Sequence, residues 1–535
     1  MKINGAYEKQ RSLWEKAGYI LPVFDRQKML DSVKQSPRWL HFGPGNIFRA
    51  FIGALQQSLL DQGLSETGII VAAPNGREII DAVYRPHDNV GLLVTMQADQ
   101  SMEKKIIGSI AESLGSEAGS EDWLRLQEIL RAPSLQLISF TITEKGYKLY
   151  AADDVFQSDV QEDMKKGPAK PVSFMARVTA LLYERYLHGA CPLTLLSMDN
   201  CSHNGLVLKN SLRTIAEKWQ QNGFVEAGFV AYIEEKTAFP CSMIDKITPR
   251  PSEAVQQVLQ KDGIADLDFI TSSRGGCYAP FVNAEKTQYL VVEDHFANGR
   301  PPLEKAGVIF TDRETVDRVE RMKVCTCLNP LHTALAVYGC LLGYTTIAAE
   351  MKNPLLLRFV EKIGLEEGMK VVTDPGVLDP AAFIRECLEE RFPNPAIPDT
   401  PQRIACDTSQ KVGIRFGETI KAYVKDPALE AGDLVYIPLA IAGWLRYLTG
   451  TDDRGKAFPV SPDPMLDELQ KQIGGLTLGS SFAAHQLLAP ILENEKIFGS
   501  NLYTAGLGEK IEGFFTALMK EPGAVENTLK KYLEK

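Results

Sequence analysis

Along roughly the first 290 residues, short apolar runs alternate with stretches of helical periodicity. Residues 39–42 form one such run, bounded by Ser36-Pro37 before it and by Gly43-Pro44-Gly45 after it. Apolar positions then recur at Phe51, Leu55 and Leu59, the spacing of an amphipathic helix, which stops near Gly63. A second apolar run at 68–73 follows at the distance of a βαβ unit. Further strands are expected at 90–96, 105–111, 135–141 and 193–198, with helices over 122–131 and 173–188. This alternation predicts an α/β fold with a mainly parallel sheet covered by helices on both faces. Residues 1–38 are polar and helix-prone and read as an N-terminal extension.

Beyond about residue 287 the texture changes. Residues 314–344, 354–363, 380–390, 433–448, 463–472 and 507–520 all carry helical periodicity, with little strand between them. The turn-rich Asn298-Gly299-Arg300-Pro301-Pro302 places a domain boundary within 285–300. The expected division is an extension at 1–38, a Rossmann-type dinucleotide-binding domain at 39–290 and a mostly helical substrate and catalytic domain at 291–535, with a cleft between the two domains as the site. The apolar stretches 328–349 and 434–448 are interrupted by Asn329, Pro330, His332, Pro438 and Arg446, and predict buried helices rather than membrane spans.

Composition removes classes more than it adds them. A chain that is 44% hydrophobic and 24% charged has the profile of a soluble globular protein, which argues against disorder. With 58 basic and 68 acidic residues the net charge is −10, which counts against a nucleic-acid partner but leaves room for a local cationic pocket. Nine cysteines, an odd number, behind an N-terminus with no secretory pattern predict free thiols in a cytoplasmic protein without a membrane partner. Cys325 and Cys327 have no companion pair at zinc spacing, and Asp199, His203 and Asp245 match no familiar ligand pattern, so no metal site is expected.

Two segments carry candidate chemistry. Gly43 and Gly45 stand between a strand and a helix, where a dinucleotide pyrophosphate needs close backbone approach and a helix N-terminus. Phe48 occupies the place of the usual third glycine, and Arg49 falls in the first helical turn, within reach of a phosphate. The second strand ends Ala72-Ala73-Pro74-Asn75-Gly76-Arg77, without the acidic residue that usually holds the adenosine ribose. Asn75 can bond a ribose hydroxyl and Arg77 a 2′-phosphate, so these residues leave the choice between NAD and NADP open. The other segment runs from Glu320 through Lys323 to Asn329, Pro330 and His332. Carbonyl reduction needs a proton donor near the oxygen and dipoles that stabilise the developing alkoxide. A desolvated lysine, an asparagine amide and a histidine are groups of that kind.

With these pieces stand Thr141-Ile142-Thr143-Glu144-Lys145-Gly146-Tyr147, Asp199-Asn200 with Asn204-Gly205, the run from Phe239 to Pro249, and Val292-Glu293-Asp294 with Gly299-Arg300-Pro301. Together they resemble the long-chain polyol dehydrogenase (mannitol dehydrogenase) family across roughly residues 39–450. The resemblance implies a Rossmann-type domain followed by a helical domain, and zinc-independent NAD chemistry on a small sugar acid or polyol, in a monomer or small homo-oligomer. It assigns the general acid/base to Lys323, oxyanion stabilisation to Asn200 and Asn329, and substrate positioning to His332. Asp245, Arg403 and Lys411 would contact substrate, and Glu320 would exchange the proton with solvent. The cofactor-binding set is Gly43, Gly45, Asn46, Phe48, Arg49, Asn75, Thr143 and Glu144.

One departure from the family pattern has a physical consequence. Five residues separate Lys323 from Asn329 where the family has four. On a regular helix the extra residue turns Lys323 by about 100° away from its partners. Pro330 lacks an N–H and so permits a kink or π-bulge that absorbs the extra residue. A helix irregularity is therefore expected between Lys323 and Pro330. Lys145 resembles the form found in fructuronate reductases, so the resemblance favours reduction of D-fructuronate to D-mannonate in hexuronate catabolism. Mannitol oxidation and tagaturonate reduction are the nearest alternatives, and a non-catalytic dinucleotide sensor is a remote one.

Overall fold

The structure, a computed structural model, describes residues 1–151, 155–273 and 275–534. It divides into two compact units, Met1–Met96 with Ser101–Asp317, and Gln97–Gln100 with Arg318–Lys535.

The first unit is built on six parallel strands: β1 (Trp39–Phe42), β2 (Ile69–Ala73), β3 (Ile110–Gly115), β4 (Leu137–Phe140), β5 (Leu193–Ser197) and β6 (Thr237–Ala238). Their order across the sheet is β3-β2-β1-β4-β5-β6, the doubly wound order of a dinucleotide-binding fold. Helices α1 (Gly53–Asp61), α2 (Glu121–Arg131), α3 (Phe174–Leu187) and α4 (Asn204–Gln221) lie between successive strands. Every residue of β1, β2, β4 and β5 is buried, which is why these strands read as continuous apolar runs. Alternate residues feed two cores: Leu40, Phe42, Ile70 and Ile138 enter one, and Trp39, Ile69, Val71 and Leu137 the other. The winding reverses between β1 and β4, so the carboxyl ends of those two strands form the switch point where such sheets bind ligands.

Three expectations change. The strand expected at 105–111 is two strands. Met102–Ile107 pairs antiparallel with Gly91–Met96, in a second sheet that also holds Tyr19–Ile20 and Phe281–Glu285, whereas β3 joins the parallel sheet. Gly108 N–H donating to Gln57 Oε1 at 2.7 Å and Ser109 Oγ donating to the Gly53 carbonyl at 2.7 Å pin the jog between them. The N-terminal extension is packed into the first unit: Trp14 is buried, and Met29 and Val33 of helix Arg26–Gln35 join the core. The boundary expected at 285–300 lies inside the first unit, because Tyr289–Glu293 pairs with Ser242–Asp245 and with Ile309–Thr311. The turn at 298–302 therefore joins paired strands rather than domains, and the division falls within α5 (Arg313–Met322).

In the second unit α6 (Asn329–Leu342) packs on α7 (Tyr436–Tyr447), which packs on α8 (Gly508–Leu518). Among the described residues one helical stretch, Arg313–Leu342, is long and apolar enough to cross a membrane; 78% of its apolar window is buried inside the protein, as in a core helix.

Candidate active site

The glycine turn leaves β1 with Gly43 at φ +121, a conformation that favours glycine. A Cβ there would stand 2.2 Å from the Thr141 carbonyl oxygen, while a Cβ on Gly45 would meet nothing within 4 Å. The first glycine is required by the turn itself; the second keeps an open approach to the backbone. Phe48, in place of a third glycine, is fully buried and stacks on His41 at 4.4 Å. His41 Nδ1 and Nε2 lie within hydrogen-bond distance of Ser139 and Thr141 hydroxyls on the β4 side, and burial pushes its pKa down to about 3, so the ring is neutral. Asn46 Nδ2 donates to the Pro249 carbonyl at 3.3 Å, and its Oδ1 is buried without a hydrogen-bond partner.

Arg49 is not where the sequence reading puts it. The π-turn Phe48–Ile52 packs on Gly91–Met96 and Phe281–Glu285 and carries the side chain inward, to 3% exposure. Its guanidinium borders a cavity of about 10 Å³ lined by Val83, Tyr84, Asn89 and Ile107, with neither Nη hydrogen-bonded. Asn75 Oδ1 accepts from Arg177 Nη2 at 3.0 Å, and Arg77 pairs with Asp81 and Asp122.

Beyond β4, the backbone N–H groups of Ile142 and Thr143 donate to Asp199, each at 2.9 Å, and Tyr147 Oη–H donates to the same carboxylate at 2.6 Å. Thr143 is held at φ +64, strained for a β-branched residue. Asp199 thus anchors the loop that presents Thr143 and Glu144 to solvent, and the neighbouring Asn200 is exposed. Glu144 pairs with Lys148 at 3.0 Å. Asn204 Nδ2 donates to the carbonyls of Asp199 and Ser242, each at 3.0 Å, and so splices this end of the sheet to strand Ser242–Asp245, whose last residue, Asp245, is buried.

In the second unit the irregularity expected near Lys323 is present. Lys323–Cys327 forms a π-turn in which Leu328 N–H donates to the Lys323 carbonyl at 3.1 Å. Leu328 leaves helical geometry at φ −124 and ψ −60, and α6 restarts with Asn329 and Pro330 in its first turn. One π-turn takes up one residue. The step from Lys323 to Asn329 then turns through about 140°, the angle of a five-residue step, instead of about 240°. Lys323 is 8% exposed. Burial pushes the Cys325 thiol up to about 11 and the Cys327 thiol higher still, so neither is a reactive thiolate.

His332 and Arg403 meet on a residue the sequence reading missed. Asp399 Oδ2 lies 3.1 Å from His332 Nε2, at ion-pair distance but off the line of a hydrogen bond, and Oδ1 accepts from both Nε and Nη2 of Arg403. His332 stacks on Phe392 at 5.1 Å. Burial lowers its pKa, against the opposing pull of Asp399. For Asp399, burial pushes upward but His332 and Arg403 prevail, and the carboxyl is held below its usual range. Lys411 Nζ donates to the Cys406 carbonyl, and burial followed by Arg415 lowers its pKa. Arg415, also missed, donates to Thr333 Oγ1, which in turn donates to the Asn329 carbonyl at 2.9 Å. The only sequence signal for Asp399 is its four-residue step to Arg403, which surface ion pairs share, and Arg415 has only a four-residue step from another cation, Lys411. The cluster is net cationic and suits a bidentate anion such as a carboxylate.

Both units match known proteins. Residues 37–305 match the mannitol dehydrogenase Rossmann domain and residues 315–518 the mannitol dehydrogenase C-terminal domain. The chain is 50% identical over 533 residues to a D-mannonate oxidoreductase of Thermotoga maritima, covering 99% of both chains. It is 31% identical over 451 residues to a D-mannonate oxidoreductase of Escherichia coli, covering 82% of this chain and 86% of that one. A solved ternary complex of Pseudomonas fluorescens mannitol 2-dehydrogenase with NAD and D-mannitol matches all of both chains at 26% identity, with a TM-score of 0.72.

Proposed function

Since the chain belongs to the mannitol dehydrogenase family, we propose that it is an NAD-dependent oxidoreductase that interconverts D-fructuronate and D-mannonate. The observation that best supports this reading is the π-turn at Lys323–Cys327, which reduces the angular step from Lys323 to Asn329 to that of a five-residue step. Full-length identity of 50% to a D-mannonate oxidoreductase supports the substrate. The doubly wound sheet, the open approach at Gly45 and the unpartnered acceptor of Asn46 fit a dinucleotide.

When bound, NADH supplies hydride to the keto carbon. Lys323 delivers a proton to the carbonyl oxygen as the C=O double bond becomes a C–OH single bond. The amides of Asn329 and Asn200 donate hydrogen bonds to that oxygen as charge develops on it. His332, whose pKa burial lowers, accepts from a neighbouring substrate hydroxyl, and Glu320 returns a proton to Lys323 from solvent. Arg403 and Lys411 hold the carboxylate, with Asp245 bonding a hydroxyl. Gly43, Gly45, Asn46, Asn75, Thr143 and Glu144 are the residues assigned to the cofactor's approach; Phe48 and Arg49 support the turn from within. The nine free cysteines support a cytoplasmic enzyme.

Steady-state assays of the purified protein with D-fructuronate, D-tagaturonate and D-fructose under NADH test the reading. The highest kcat/KM is expected for D-fructuronate, since fructose leaves the cationic cluster unused. Absence of turnover with either uronate would overturn it.

A further inference from the structure

Dinucleotide folds that take NAD usually hold the adenosine ribose with a carboxylate at the end of the second strand. Here β2 ends in Ala72-Ala73 and continues as Pro74-Asn75-Gly76, with none. We propose that Glu117, delivered from the end of the adjacent strand β3, replaces it: its carboxylate accepts the adenosine 2′-hydroxyl and bars a 2′-phosphate, which sets the preference for NAD. The inference rests on the dinucleotide reading above.

Strand β3 lies beside β2 in the sheet, so its carboxyl end opens onto the same side of the fold. Gly76 N–H, in the turn after β2, donates to Glu117 Oε1 at 3.0 Å, which puts the carboxylate at the position the missing acid would serve. Glu117 Oε2 is buried and has no hydrogen-bond donor. An unsatisfied buried acceptor is costly, and a ribose hydroxyl is a donor that would satisfy it. A phosphate monoester has no proton to give at neutral pH and meets the carboxylate as a like charge.

The surrounding residues close off other arrangements. Ser116 Oγ donates to the Ala73 carbonyl at 2.7 Å and accepts from Arg177 Nη1 at 2.9 Å, which ties the end of β3 to the end of β2. Arg177 Nη2 occupies Asn75 Oδ1, so that oxygen, the acceptor the sequence offered to the ribose, is already used. Arg77, the cation offered to a 2′-phosphate, faces Asp81 at 3.3 Å, Asp122 at 3.7 Å and the charge of Glu117. A Cβ on Gly115 would stand 2.7 Å from Glu117 Oε2 and 2.8 Å from Arg77 Cγ, so glycine at the end of β3 is what makes room for both side chains.

The test is binding rather than turnover: dissociation constants of NADH and NADPH, measured by calorimetry on the full chain as wild type, Glu117→Gln and Glu117→Lys. Wild type is expected to bind NADH and to reject NADPH. Glu117→Gln keeps an acceptor for Gly76 N–H, and should weaken NADH by roughly 10- to 100-fold, the range of a hydrogen bond to a charged group. Glu117→Lys should favour NADPH over NADH. If wild type binds no NADH, the dinucleotide reading itself fails. If it binds NADH and both variants keep the wild-type ratio of the two constants, or lose both cofactors equally, Glu117 does not set the preference.

Discussion

Two π-turns, Phe48–Ile52 in the first unit and Lys323–Cys327 in the second, carry the two halves of the proposed chemistry in opposite ways. The first follows the glycine turn, and all five of its side chains are buried as packing, including the charged Arg49. What it leaves for a ligand is backbone, next to Gly43 and Gly45. The second turn presents a side chain. Its geometry corrects the phase of Lys323 against α6, and the residues beyond it, Asn329 and His332, are held by Thr333, Arg415 and Asp399. A backbone site is set by where side chains are absent, whereas a side-chain site is set by helical phase and by partners distant in sequence. The two should therefore fail differently when disturbed.

The largest separation is expected for Lys323→Ala. Loss of the proton donor should lower kcat by roughly 10²- to 10⁴-fold while NADH affinity stays as in the wild type, read by calorimetry beside steady-state kinetics. If NADH affinity falls in step with kcat, the two halves are not independent. Gly43→Ala is the converse. Its Cβ collides with the Thr141 carbonyl at a φ that disfavours alanine, so loss of NADH affinity and about 1–3 kcal/mol of stability are expected in urea titrations.

Asp399→Asn should act on substrate alone. With the charge shared by His332 and Arg403 removed, KM for D-fructuronate is expected to rise roughly 10-fold or more with NADH affinity unchanged. Adding Arg403→Ala to that variant should cost less than it does in the wild type, because the two residues act as one unit. Full additivity would break the assignment.

An effect on stability alone concerns Glu350, which lies beneath α6, fully buried with neither carboxyl oxygen hydrogen-bonded. Burial, then the nearby charge of Asp399, raises its pKa from 4.5 to about 9. The folded chain therefore keeps a proton that the unfolded chain releases above its ordinary pKa, so this group's contribution to stability falls as pH rises from about 4.5 to about 9. The slope is at most about 1.4 kcal/mol per pH unit. Glu350→Gln should flatten the decline of Tm between pH 6 and 9 on the scale of that slope; an unchanged pH profile would show that the carboxyl ionises freely in the fold.

Much of the first unit is legible in the chain because its signals are local. Trp39 to Phe42, the glycine turn and the apolar run at 68–73 follow one another as a βαβ unit must, and all three stand where expected. The helix irregularity is legible too, since counting residues between Lys323 and Asn329 exposes a phase error that Pro330 can relieve. What stays hidden depends on long-range pairing. The turn at 298–302 looks like a linker until Tyr289–Glu293 is seen to pair with Ser242–Asp245. The strand at 105–111 splits because Gln57 and Gly53, half a hundred residues earlier, bind its middle. Asp399 and Glu117 carry no motif at all; each matters through what it meets, His332 and Arg403 in one case and Gly76 in the other.

In the proposed mechanism the π-turn absorbs one residue and so phases Lys323 with Asn329 and His332. Deleting Val324 tests it most directly, because the shortened segment can run as a regular α-helix with the same phase. The deleted enzyme is expected to turn over D-fructuronate with a kcat within about tenfold of wild type, a smaller loss than removal of the acid itself. A deleted enzyme with wild-type circular dichroism and Tm but a kcat as low as that of Lys323→Ala would contradict it.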